Sequence, residues 1–456
     1  MSIVIVGAGP AGTRAAEILV GAGLRPIVID EAPENGGRIY QRQPAEFHRT
    51  LRALYGFEAA KARAIHDTFD QLRTSIDFRP RTLAWNMRPG IIDTMCDGKA
   101  RTVGFAQTIL CTGAMDRVIP LPGWTLPGVF TLGGSQISLK AQGCAIGARV
   151  AFLGTGPLLY LVAYQYARAG AQVTAVLDTT PFATKAAQTL GLMRGGATFA
   201  KGLYYIAWLR AHGIPIFEGV TPLAIGGNGQ VESLSWRDAR GSTQEAAVDA
   251  VALGFGLKPE AQLADLAGVP FEFDPVQHNW VPRRDRSGQT SVQGVFLAGD
   301  GSGIRGADLA EAAGARSAWA VLATRGLAVD ARAVARLDAT LAAGATFRAA
   351  LERAFPFPTK LAADMADDTI LCRCEVITAG ELRAAANEAL ATLPPSEVNR
   401  AKALTRVGMG RCQGRVCGAA AAEILAMTLS CAVERVGRLR GQPPVKPIPI
   451  LPAEAA

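Results

Sequence analysis

Two cysteine pairs near the end of the chain have a spacing that can bind metal. Cys372 and Cys374 lie in "LCRCEVITAG", Cys412 and Cys417 in "GMGRCQGRVC". The chain has eight cysteines, so half fall in this C-x-C, C-x4-C set. Four thiolates can hold zinc or an iron–sulfur cluster. The C-x-C pair suits zinc less well than the usual knuckle, because ligands one residue apart come from an extended segment. Arg373, Arg411 and Arg415 stand beside the ligands and can offset an anionic thiolate centre. Cys96, Cys111 and Cys144 sit in apolar or turn contexts and read as small buried residues, and Cys431 falls outside the pattern. His48, His66, His212 and His278 have no ligand-like spacing and read as surface or helix-cap residues.

A second kind of chemistry lies at the start. "SIVIV" is a short apolar run, and "GAGPAG" follows with Gly7, Gly9 and Gly12 in G-x-G-x-x-G spacing and Pro10 and Ala11 between. A helical stretch and a second strand, "RPIVIDE", then end at Asp30 and Glu31. Strand, glycine turn, helix, strand and acid are the dinucleotide fingerprint. Gly7 permits the tight turn, Gly9 lets backbone approach a pyrophosphate, and Gly12 lets helix and strand pack. The helix N-terminus offers free N–H groups to phosphate. Asp30, or Glu31 in its place, can accept from an adenosine ribose. The plan recurs at 148–178, with Gly154, Gly156 and Asp178, but Leu159 stands where the third glycine belongs. NADH or another adenine nucleotide is the candidate ligand there. No Arg cluster follows, which disfavours NADPH.

The elements that must position these residues follow from the order of the motifs. Residues 1–120 and 285–330 are expected to form the first dinucleotide domain, and 121–284 a second one set into it. Residues 331–366 read as a helical connector, 367–437 as the cysteine domain and 438–456 as an extended Pro-rich tail able to dock on a partner. With 456 residues, 19% of them charged, the chain is long enough for such domains and globular in composition. No signal peptide and no free-standing apolar run of ~18 residues is present, so a cytoplasmic protein is expected, with peripheral attachment to the inner membrane as the alternative. The net charge is +8, without a basic-aromatic module, so no nucleic-acid partner is expected. Residues 397–440 nevertheless hold eight basic and three acidic residues. That is either a solvated face or a site for an anionic centre or an acidic partner.

Further stretches carry a resemblance. "ENGGRIYQR" with Gly36, Gly37 and Arg38, "TILCTGA" with Thr112 and Gly113, and "TSVQGVFLAGDGSG" with Gly299 and Asp300 resemble the glutathione-reductase-like flavoproteins with two dinucleotide-binding domains. That resemblance implies FAD, with Asp300 on its ribityl chain. The cysteine pair of the disulfide reductases in that group is missing from "APENGGRIYQR". "CRCE", a helical stretch "TAGELRAAANEAL" and "TRVGMGRCQGRVCG" resemble the BFD-like [2Fe-2S] domain, although that domain closes with C-x2-C and a shorter spacer, here extended by "LPPSE". Together with the connector "PLPGWTLPGVFTLGGSQ", the chain resembles the large FAD-binding subunits of heteromeric bacterial amine dehydrogenases. That group includes opine oxidases, D-hydroxyproline and L-proline dehydrogenases and the B subunit of hydrogen cyanide synthase. It implies a flavin-bearing β subunit of amine-oxidase type that oxidises the substrate, and a small ferredoxin-like γ subunit. An NADH:acceptor oxidoreductase that needs no partner, and a redox-inert nucleotide-binding scaffold, are the competing readings. No acid–base pair in the chain stands out as a substrate catalyst.

Overall fold

The computed structural model describes residues 2–390 and 397–449. Its first sheet is parallel, with strands in the order Val295–Leu297, Gln107–Leu110, Ile3–Val6, Ile27–Ile29 and Asp77–Arg79. Both faces are covered, which is why these strands read as unbroken apolar runs. Ile3, Ile5 and Phe296 pack beneath one face and Val4, Val6 and Leu297 beneath the other. Helix Pro10–Gly21 lies on the first face against helix Ala307–Thr324. The approach is close because small residues meet there: a Cβ on Gly314 would lie 2.0 Å from the Ala11 carbonyl oxygen. This contact brings the loop carrying Gly299 and Asp300 over the start of the first helix.

The chain leaves this sheet along Ala114–Asp116 and builds a second parallel sheet, in the order Ile216–Glu218, Gln172–Asp178, Arg149–Thr155, Ala250–Phe255 and Val129–Thr131. It returns along Leu257–Pro259, antiparallel to Ala114–Asp116, and closes the first sheet with Val295–Leu297. Each sheet also carries a three-stranded antiparallel appendage, one over 82–104 and one over 221–247. The fold is therefore a two-dinucleotide-binding-domain arrangement of the glutathione-reductase type.

Helix Ala331–Ala354 then runs back over the second unit, where Ala350 and Phe347 press on Gly191 and Gly195. The cysteine region follows. Strand Ile370–Cys372, helix Ala379–Ala385 and helix Gly418–Thr428 enclose a core continuous with Ile119 and Phe255 of the main body. Helix Ala379–Ala385 starts at a capping box, with Thr378 and Glu381 satisfying each other's backbone N–H. The extra loop expected at "LPPSE" lies, apart from Glu397, outside the described residues. The tail does not stand free over its described part. Val445 is buried beside Met87 and Leu263, and Lys446 pairs with Glu31.

Candidate functional site

The switch point of the first sheet lies between strands Ile3–Val6 and Gln107–Leu110, and most of the first set of site residues gathers there. Gly7 has φ +106°, and a Cβ on it would lie 2.3 Å from the Cys111 carbonyl oxygen. A Cβ on Gly12 would fall 1.8 Å from the Gly7 oxygen. Gly9 and Gly37 face each other so closely that a Cβ on Gly37 would sit 3.0 Å from the Gly9 Cα. The helix beginning at Pro10 has no side-chain cap, leaving its first N–H groups for a ligand. In its first turn the buried Thr13 hydroxyl has no partner among the described residues. Gly113, at φ +75°, opens onto free space. These features fit a pyrophosphate and a cofactor lying along the switch point.

The acids around this cleft are held by backbone. Asp30 accepts N–H bonds from Ala8 (2.6 Å) and Ala32 (2.7 Å), and burial raises its pKa. An ionised carboxylate has about four acceptor sites, so two remain for ribose hydroxyls. Glu31 points outward and pairs with Arg38 and Lys446, so both Glu31 and Arg38 are committed to surface ion pairs. Asp300 uses one oxygen for the N–H groups of Arg305 (2.7 Å) and Gly306 (2.9 Å).

The second unit differs. Gly154 and Gly156 form the turn, and the space beside Gly156 is open. Asp178, however, is 0% exposed. It accepts from the Tyr160 hydroxyl (2.6 Å), the Lys185 ammonium (2.8 Å) and the Thr180 N–H (2.8 Å). Lys185 also pairs with Glu218 and lies over the rings of Tyr160 and Phe355. Leu159 is fully buried in the core of this unit. The glycine turn fits a nucleotide and the ribose end does not, because a lysine occupies the acid.

The four cysteines come together as two pairs. Cys372 interacts with Cys417, and Cys374 with Cys412. Cys417 donates to Cys372, and the N–H groups of Gly408, Glu375 and Cys374 add to this, bringing the Cys372 thiol down to about 5. Cys417 keeps the proton, and its pKa rises well above the usual value. Among the described residues no three ligating groups gather round one point. Two thiol pairs with backbone N–H groups aimed at sulfur are the donor set of a two-iron cluster, which takes two thiolates per iron. A tetrahedral zinc site would need all four around a single ion.

The cysteine region is tied directly to the first cleft. The Glu260 N–H donates to the Gly113 oxygen (2.9 Å), and the Thr112 hydroxyl donates to the Glu260 carbonyl. The Glu260 carboxylate takes two bonds from Arg415 (2.7 and 3.1 Å), which lies between Cys412 and Cys417. The amine of Lys258, two residues earlier on strand Leu257–Pro259, faces Cys417 and Cys412, and burial lowers its pKa to about 8. Lys402 is also buried near Cys417. Of the three arginines expected to offset the thiolates, Arg415 reaches Glu260, Arg373 lies over Trp124 and Arg411 is exposed. The lysines nearest the thiols come from elsewhere in the chain.

A family model described as pyridine nucleotide-disulphide oxidoreductase matches residues 1–316, and one described as BFD-like [2Fe-2S] binding domain matches residues 370–427. The chain belongs to the pyridine nucleotide-disulphide oxidoreductase family. It is 34% identical to the opine oxidase A subunit of Rhizobium meliloti over 98% of this chain and 86% of that one. It is 31% identical to the hydrogen cyanide synthase subunit HcnB of Pseudomonas protegens over 98% and 96%. Among solved structures, L-proline dehydrogenase from P. horikoshii superposes with a TM-score of 0.73 at 17% identity, covering 98% of this chain and 78% of that one, a likeness of fold. The chain is thus an FAD-dependent oxidoreductase with a BFD-like [2Fe-2S] domain, similar over nearly its whole length to the opine oxidase and HcnB polypeptides.

Two readings of isolated residues need correction. His66 is buried, with its ring nitrogen 2.8 Å from the Tyr40 oxygen, and His278, at φ +49°, meets Glu423 at 2.5 Å. Neither is an ordinary surface residue, since each packs against an element distant in sequence. Of the scattered cysteines only Cys111 is buried, and Cys144 is exposed. Among the described residues no helix is long and apolar enough to cross a membrane.

Proposed function

We propose that this chain is the electron-transferring subunit of a heteromeric dehydrogenase that oxidises an opine, D-hydroxyproline or a related amino acid. In this reading a partner subunit of amine-oxidase type, bearing its own flavin, takes electrons from the substrate. A small ferredoxin-like subunit completes the assembly. The observation that carries the reading is the Thr112–Glu260–Arg415 connection, which joins the flavin-site turn to the loop between Cys412 and Cys417 through one residue. FAD accepts electron pairs and releases single electrons, and a [2Fe-2S] cluster carries one electron at a time.

The residues of the chain then divide the work. Gly7, Gly9, Gly12 and Gly37 hold the pyrophosphate against the first helix, and Asp30 holds the ribose. Thr112, Gly113, Gly299 and Asp300 line the flavin end. Cys372, Cys374, Cys412 and Cys417 hold the cluster, with Lys258 offsetting its negative charge. The electrons do not enter as hydride from NADH, because Lys185 and Tyr160 occupy the acid a nicotinamide nucleotide would need.

The test is anaerobic titration of the purified chain, followed by visible absorbance. NADH is expected to leave the flavin oxidised, while dithionite reduces it. Opines, hydroxyproline or proline are expected to reduce it only after the partner polypeptide is added. Bleaching by NADH within turnover time would overturn the reading in favour of a partner-independent NADH oxidoreductase.

A further inference from the structure

The cluster loop has an inner and an outer side. Cys372 and Cys417 are each 1% exposed and face the body of the protein, where Lys258 and the Glu260–Arg415 pair lie. Cys374 and Cys412 are partly exposed. Gly410 seats the second cysteine loop on the first, since a Cβ there would meet the Cys374 Cβ at 2.2 Å. The outer pair is flanked by exposed Arg373 and exposed Arg411. Arg411 has no acidic partner among the described residues. Arg406 stands nearby, bonded to Glu375.

Val376, two residues past Cys374, is an outlier twice over. It is 64% exposed, and its φ is +55°. A β-branched residue in the left-handed region is strained, because its Cβ crowds the backbone carbonyl. Exposing the isopropyl group recovers none of that for the free chain. Backbone strain of this kind concentrates where a surface has a task other than folding.

We infer that the edge formed by Arg373, Val376 and Arg411 is the docking surface for an acidic one-electron carrier protein, which takes electrons from the Cys374–Cys412 side. The occupant follows from the charge and the shape. At the edge itself Arg373 and Arg411 are exposed with no carboxylate partner among the described residues, whereas in segment 397–440 Lys402 is buried and Arg406, Arg415 and Arg438 are paired with Glu375, Glu260 and Asp265. Val376 adds an exposed apolar side chain to the edge, suited to a small acidic protein with an apolar spot at its own redox centre. Charge steers such an encounter and sets its rate more than its final affinity. The transfer is one electron: the cluster is oxidised by one equivalent, the carrier is reduced by one, and no bond or proton moves between them. This inference rests on the electron-transfer reading.

The test uses two soluble one-electron acceptors of high potential and opposite charge, acidic plastocyanin and basic cytochrome c. Each is mixed in stopped flow with the dithionite-reduced full chain. Plastocyanin is expected to oxidise the chain faster, with a rate that falls at least tenfold as salt is raised from low to high ionic strength. Arg373→Glu with Arg411→Glu should slow plastocyanin at least tenfold and reverse the preference, with the flavin and cluster absorbance unchanged. Val376→Gly should slow plastocyanin several-fold while raising thermal stability, a pairing that a merely structural valine would not give. Equal rates with both acceptors, untouched by the arginine reversals, would overturn the docking surface and leave electron transfer standing. A reduced chain that neither acceptor oxidises would overturn the electron-transfer reading itself, and the docking surface with it.

Discussion

In the first unit the acid that ends the second strand, Asp30, accepts two backbone N–H groups and keeps acceptor sites free. In the second, Asp178 accepts a tyrosine hydroxyl, a lysine ammonium and a backbone N–H, and no surface of it remains. Both units kept the glycine turn. The reason is packing, which acts with or without a ligand: a Cβ on Gly154 would sit 1.7 Å from the Gly254 oxygen, so the turn is obligatory for the sheet. A fingerprint glycine therefore reports the fold. The partners of the terminal acid report whether a nucleotide fits.

The largest effect that can break this comparison is a substitution at Gly12. A valine there drives its Cβ into the Gly7 oxygen and reshapes the turn, and the purified chain is expected to lack flavin absorbance altogether. Leu159→Gly, at the matching place in the second unit, should leave the flavin content unchanged. Flavin loss in both variants would erase the distinction. The acids give the next contrast. Asp30→Asn should weaken flavin retention at least tenfold, because a charged acceptor becomes a neutral amide at a ribose. Asp178→Asn should keep the flavin and cost stability instead, about 3–5 kcal/mol in denaturant unfolding, since Lys185 is left buried beside a neutral partner. An Asp178→Asn chain as stable as the parent would mean that Glu218 alone satisfies Lys185.

The first strand–turn–helix was legible in the sequence because Gly7, Gly9, Gly12 and Asp30 act within one local unit. The four cysteines were legible for the same reason: two short spacings fix two thiol pairs. The resemblance supplied what locality could not, namely that the pairs come together and that a flavin lies before them. Lys185 was invisible as the plug. It is seven residues past Asp178, and nothing in "PFATKAAQ" says that its amine folds back. Lys258 was missed because it stands more than 150 residues before the cysteines it faces. The paired strands Ala114–Asp116 and Leu257–Pro259 create that meeting. His278 looked ordinary because its partner, Glu423, belongs to a helix of the cysteine domain. Local patterns give turns and ligands, whereas charge compensation across domains depends on tertiary topology.

Lys140, on helix Leu132–Ala141, and Lys185 both belong to the second unit, and the smallest expected effect comes from the difference between them. Lys185 has Asp178 and Glu218 as partners, whereas Lys140 is 3% exposed and donates to the Ile39 carbonyl (3.1 Å) with no carboxylate beside it. Burial therefore pushes the Lys140 pKa from 10.5 down to about 7. Between those two values the unfolded chain binds a proton there that the folded chain does not, so stability rises with pH across that window. Below pH 7 both states are protonated and the full cost of burying the charge remains. Above about 10.5 both are neutral and the cost is gone. Lys140→Met should then stabilise the chain, by about 2–4 kcal/mol at pH 6 and by little at pH 11, as seen in urea unfolding. Lys185→Met should act in the opposite direction, because it strands Asp178. A gain from Lys140→Met that is the same at both pH values would place its origin in packing and not in the buried charge.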